Sequence, residues 1–141
     1  MGISVGEWVL GGHSLGAWSV SALFTQPDLP NGIKRMVEWG SMQVHHLERS
    51  KQLQSVLKID ASNDGIFLEL KKSFGKFITI DEYPPSCQIT SKTIDGGNHS
   101  GFAHYEGQSF PCKDRNRVGI TLDEQQRMIV DWTTDFLAGK Q

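Results

Sequence analysis

The sequence has no apolar stretch approaching the ~20 residues that a membrane helix needs, so a transmembrane span is not expected. It also lacks any long run of like charge. Its 14 Lys and Arg stand against 16 Asp and Glu, a formal net charge of −2, which removes the electrostatic footprint of nucleic-acid binding. Cysteine is scarce, with only Cys87 and Cys112, and a chain of 141 residues can bury a core without disulfide staples. A redox role for the two thiols is therefore a minor reading. Proline occurs five times and mostly as punctuation, at Pro27, Pro30, Pro84 and Pro85. The first six residues have neither a basic segment nor a continuous apolar core, so no secretory signal is legible, and Gly6 stands where a myristoylation motif wants Ser or Thr. Localisation stays open.

What is present is 38% hydrophobic residues, 21% charged residues and 15 glycines, too apolar for disorder and without collagen or coiled-coil periodicity. One domain over residues 1–141 is the natural reading. Glu7 to Leu10 reads as a buried strand that stops at the pair Gly11 and Gly12. Leu15, Trp18, Val20, Ala22 and Leu23 then share a helical face, closed by Pro27 and Pro30 before a second strand over Ile33 to Val37. The polar segment from Gly40 to Gln54 fits a short helix or a long loop equally well. A third strand over Ser55 to Ile59 feeds a turn, and Phe67, Leu70, Phe74 and Phe77 follow at helical spacing. The fourth strand spans Gln88 to Ile94. A last helix starts at Thr121, where Glu124 completes a capping box and Leu122, Ile129, Trp132 and Phe136 form one apolar face. Strands alternating with helices predict an α/β fold of about four mainly parallel strands with helices on both faces, its ligands bound beyond the carboxyl ends of the strands.

The turns at those ends hold the residue types of a hydrolytic triad. Gly12-His-Ser-Leu-Gly16 matches the G-x-S-x-G elbow, in which small residues let a sharp strand-to-helix turn expose a serine hydroxyl. The elbow thus comprises Gly12, His13, Ser14 and Gly16. A serine is a weak nucleophile until a base takes its proton, and of five histidines His99, in the glycine turn after the last strand, is the best placed. His13 is expected to pack behind the elbow, and His45, His46 and His104 to be surface or structural. Asp64 leads as the acid, with Asp60 its main rival and Asp95 too close before His99. The backbone N–H of Leu15, in the first helical turn, would donate to the oxyanion. A metal site on His99 and His104 is not favoured, because the spacing matches no zinc motif, and no metal or cofactor is expected. Asn98-His-Ser100 is a formal glycosylation acceptor but would lie in the active site.

Three blocks carry a resemblance: Gly11-Gly-His-Ser-Leu-Gly-Ala17, then Ala61-Ser-Asn-Asp-Gly65, then Ile94-Asp-Gly-Gly-Asn-His-Ser-Gly-Phe102 with Tyr105 and Gln108 after it. Together they resemble the α/β-hydrolase superfamily, and within it the dienelactone-hydrolase-like group known as alpha/beta hydrolase family five. Ser100 and Ala103 depart from the group's usual residues around the histidine. The resemblance implies Ser14, Asp64 and His99 as nucleophile, acid and base of a serine hydrolase acting on carboxylic esters or lactones. It covers residues 7 to about 138 yet matches only the C-terminal half of a typical member, lacking the opening strands and the loop that supplies a second oxyanion donor. The first strand would then be an exposed apolar edge, and the expectation is a truncated chain or one that self-associates through that edge. The competing reading is a catalytically inactive fragment serving as an interaction module.

Overall fold

The computed structural model describes residues 7–42, 46–74, 82–104, 108–109 and 111–140. Four strands form one parallel sheet in chain order: β1 (Trp8–His13), β2 (Ile33–Trp39), β3 (Ser55–Ala61) and β4 (Gln88–Ile94). The helices among the described residues are α1 (Leu15–Phe24), α2 (Gly65–Phe74) and α3 (Leu122–Leu137), with short 3-10 turns at Leu47–Arg49 and Ser100–Phe102. This is the α/β architecture expected. Parallel strands need crossover connections, and α1 and α2 supply two of them.

Side chains that alternate along the strands split the core into two layers. Met36 and Val56 pack with Phe24 of α1, Leu29, Leu47, Leu53 and Tyr83 on one face. Their neighbours Val37 and Leu57 face the other way, joining Ile59, Ile94, Phe102 and the α3 residues Ile129 and Phe136. Helix α3 is fixed at both ends. Thr121 and Glu124 form the complete capping box, and Arg35 of β2 donates to the Phe136 and Leu137 carbonyls at its C-terminus while lying over the Phe136 ring.

Three details differ from the sequence reading. Strand β1 does not stop at the glycine pair but runs through Gly11 and Gly12 to His13, paired in register with Val37, Glu38 and Trp39. Gly11 marks a close approach within the strand, since a Cβ there would lie 3.2 Å from Val37 Cβ. Strands β2 and β3 each extend two residues further than expected, because pairing continues past the apolar run. The undecided segment after β2 holds the Leu47–Arg49 turn within loop, and its His45 lies outside the described residues, as do Phe77 and Tyr105. Strand β1 is one edge of the sheet, with Trp8 54% exposed.

Candidate active site

Ser14 occupies the single residue between the end of β1 and the start of α1. Among the described residues it is the one non-glycine with positive φ, at φ 55° and ψ −120°, a conformation that costs an L-residue about 1–3 kcal/mol. Tertiary contacts enforce it. The Ser14 N–H donates to the Trp39 carbonyl at 2.9 Å, and its own carbonyl accepts from Ala17 and Trp18 N–H at 3.0 and 3.3 Å and from Ser41 Oγ at 3.3 Å. The tight turn needs Gly12 bare, because a Cβ there would sit 2.4 Å from the Gly16 carbonyl carbon. Gly16 is different: a Cβ on it would meet nothing within 4 Å, so the elbow's second glycine is not there for room. The Ser14 side chain makes no capping hydrogen bond to α1, although it stands at the N-cap.

Asp64 follows β3 and shares its carboxylate between two tasks. Oδ1 accepts the Phe67 N–H at 2.7 Å, anchoring the group at the N-terminus of α2, and Oδ2 lies 2.7 Å from His99 Nδ1. Both side chains are 2% exposed. A carboxylate so fixed orients the imidazole and favours the tautomer with its proton on Nδ1. His99 Nε2 has no hydrogen-bond partner among the described residues. The rival Asp60 pairs instead with Lys58 Nζ at 3.7 Å. Asp95 accepts from Ser62 Oγ at 3.1 Å.

Ser14 and His99 line one cavity of about 300 Å3, together with Leu15, Trp18, Met42, Ile66, Phe67 and Leu70. The cavity opens at the carboxyl ends of β1, β2 and β3, where the turns carrying Ser14, Gly40 and Asp64 converge. Gly40, at φ 51°, permits that convergence, since a Cβ on it would meet the Phe102 ring at 2.9 Å and Asp64 Oδ2 at 3.4 Å.

His13 packs against His99. Its ring centroid lies 4.5 Å from that of His99 and 5.3 Å from that of Phe102. Burial, then the neighbouring His99, pull its pKa from 6.5 down to about 4, against weaker upward pulls from Asp114 and a hydrogen bond to the His99 backbone. His13 is thus a neutral wall at pH 7. An unfolded chain takes up a proton at His13 below pH 6.5 while the folded one does so only near 4, so this contribution is whole above about pH 6.5 and is lost as pH falls through that window. The expected loss is about 3 kcal/mol. Thermal melts between pH 4 and 7 should show it, with a flatter profile in His13→Gln.

The glycine turn bearing His99 is clamped by residues that the sequence did not reveal. Gln125 of α3, fully buried, accepts the Asn98 N–H at 3.1 Å and donates to the Asn98 carbonyl at 2.8 Å. Asn98 Nδ2 donates to the Arg115 carbonyl at 2.7 Å, and its Oδ1 accepts from Gly101 N–H at 3.1 Å. Being buried and hydrogen-bonded at both ends of its amide, it is no acceptor for a sugar. Asp114 reaches the same turn through Ser100. Gln125 had a signal, a polar residue within the apolar stripe of its helix; Asp114, in an aperiodic segment, had none.

Other chemistry lies elsewhere. His46, Glu48 and Glu82 offer ligand atoms within 4.8 Å of one another, but none of them lines the cavity, and Arg49 Nε is already 3.3 Å from Glu48 Oε1. His46 and His104 are exposed. Cys87 and Cys112 are both free. Burial and then Glu38 push the Cys87 thiol up to about 11, and burial followed by the charges of Glu69, Asp114 and Asp64 raises Cys112, so neither is poised as a thiolate. No helix among the described residues is long and apolar enough to cross a membrane.

The model of the alpha/beta hydrolase family matches residues 3–126. No curated protein matches the chain.

Proposed function

Since this chain belongs to the alpha/beta hydrolase family, we propose that it is a serine hydrolase of carboxylic esters or lactones, related to the dienelactone-hydrolase-like group, with Ser14, His99 and Asp64 as its triad. The observation that carries this reading is the pairing of an enforced positive φ at Ser14 with a buried His99–Asp64 couple on the same cavity. With its Nδ1 proton held on Asp64, His99 offers the Nε2 lone pair as a base. Ser14 Oγ attacks the carbonyl carbon and passes its proton to Nε2, and the carbonyl electron pair moves onto oxygen. The Leu15 N–H stabilises that oxyanion from the first turn of α1, a donor of a kind worth about 3 kcal/mol. His99 then returns the proton to the leaving alkoxide, and the acyl-Ser14 ester is cleared by a water that His99 deprotonates. Asp64 stays ionised and stabilises the imidazolium at both steps.

The cavity favours an uncharged, apolar acyl or alcohol group. Trp18, Met42, Ile66, Phe67, Leu70 and Pro111 provide its walls, and among the described lining residues there is no Lys, Arg, Asp or Glu. A substrate bearing its own carboxylate would find no cation among these described residues to offset its desolvation. Short apolar esters are therefore the expected substrates.

Labelling with a fluorophosphonate probe and mapping the adduct by mass spectrometry tests the reading. The expected result is a single adduct on Ser14, absent from Ser14→Ala and strongly slowed in His99→Ala. A folded wild-type protein that neither labels nor hydrolyses esters would replace this reading with that of a catalytically inactive member of the family.

A further inference from the structure

The acid and the base stand on different turns, 35 residues apart in sequence, yet their hydrogen bond requires the two turns to be held at a fixed separation. One carboxylate bridges them. Asp114 Oδ1 accepts the Gly65 N–H at 3.0 Å, and Gly65 is the residue after Asp64. Asp114 Oδ2 accepts both the N–H and the Oγ–H of Ser100, the residue after His99, at 2.8 and 2.7 Å. A further bond from the Arg115 N–H, at 2.8 Å to Oδ1, fixes the carboxylate on its own backbone. We propose that Asp114 is a positioning residue that ties the turn of Asp64 to the turn of His99 and so holds the imidazole in its working orientation.

Two further features agree with this. Gly65 opens α2, so its N–H is one of the donors that a helix leaves without an internal partner, and an ionised carboxylate accepts from it more strongly than a neutral oxygen would. The approach is also close: a Cβ on Gly65 would lie 2.6 Å from Arg115 N, so the 114–115 backbone can press on the acid turn only because residue 65 is glycine. Burial pushes the Asp114 pKa up, but the hydrogen bonds from Ser100, Gly65 and Arg115 outweigh it and hold the group below the ordinary carboxylate value. Asp114 does not line the cavity, so it acts through His99 and Asp64 and not on a substrate.

The proposal rests on the reading of Asp64 and His99 as acid and base, and its test has arms that do not need turnover. In the wild-type protein the Gly65 and Ser100 amides should both be protected in native-state hydrogen exchange; rapid exchange of either from the folded state overturns the tie. Nitrogen NMR of labelled histidine should find His99 in one tautomer, with its proton on Nδ1. Asp114→Ala should mix the tautomers, whereas Ser100→Ala, which keeps the backbone N–H, should not. Against an uncharged nitrophenyl ester, kcat of Asp114→Ala should fall about 100-fold, the scale of a ~1 Å misplacement, with KM nearly unchanged. Asp114→Asn, which turns an NH2 toward one of the two turns, should fall in between. If Asp114→Ala does not fold, Asp114→Asn decides by the same readouts. A folded Asp114 variant with the wild-type His99 spectrum and kcat, losing only thermal stability, makes the residue a loop anchor and ends the proposal. An inert wild type would overturn the hydrolase reading, while the tautomer comparison would still decide the role of Asp114.

Discussion

Ser14→Ala is expected to lower kcat on a nitrophenyl ester by about a million-fold while the protein folds as before. The alanine keeps a Cβ, so the strain of φ 55° stays and the contacts that enforce it, chiefly the 2.9 Å bond to the Trp39 carbonyl, are untouched. Only the hydroxyl oxygen goes. His99→Ala should be about as severe, and the double variant no worse than either single one, because nucleophile and base work as a unit. Asp64→Asn should cost about 10,000-fold, since an amide facing His99 Nδ1 no longer favours the tautomer with the proton there. Ser14→Gly separates activity from stability: it removes the hydroxyl but also relieves the strained conformation, so it should be inactive yet melt higher, by an amount equivalent to about 1–2 kcal/mol. Steady-state assays paired with thermal melts of the five variants check all of this. Ser14→Ala with ordinary ester turnover would exclude Ser14 as the nucleophile.

The parts of this molecule that could be read in the sequence are those whose cause is local. The capping box at Thr121 and Glu124 needs only two residues three apart, and it is present in full. Strand β4 spans the expected residues because alternation and flanking turns define it. Gly12 was legible through steric demand, whereas Gly16, equally part of the motif, faces open space and would tolerate a side chain. Strand β1 outruns its expected end because parallel pairing to β2 carries the chain through a glycine pair of the kind that usually weakens or ends a strand. Asp64 leads Asp60 in the sequence by its place in the turn after β3, and Lys58 beside Asp60 and His99 beside Asp64 give the two carboxylates different surroundings. Asp114 was beyond reach, because its partners Gly65 and Ser100 lie 49 and 14 residues away and become neighbours only once the sheet has formed.

The contrast between the two elbow glycines gives the largest expected stability effect. Gly12→Ala places a methyl 2.4 Å from the Gly16 carbonyl carbon, 2.6 Å from the Ala17 nitrogen and 2.7 Å from the Gly16 oxygen, all of them backbone atoms. No rotamer change can relieve such contacts. Either α1 must back away from β1 or the turn must open, and both break the bonds by which Ala17 and Trp18 hold the Ser14 carbonyl. Overpacking typically costs about 1–3 kcal/mol, and three backbone contacts that no rotamer relieves put this substitution at the upper end, a large share of the 5–15 kcal/mol that roughly bounds a domain's stability. Gly12→Ala should accordingly be poorly soluble or melt far below wild type, and any folded fraction should not label at Ser14. Gly16→Ala meets nothing within 4 Å and gains helix propensity of up to about 1 kcal/mol, so it should fold and label normally. Equal melting temperatures for the two variants would mean that the strand-to-helix turn is looser than these distances require, and with it the constraint that holds Ser14 at φ 55°.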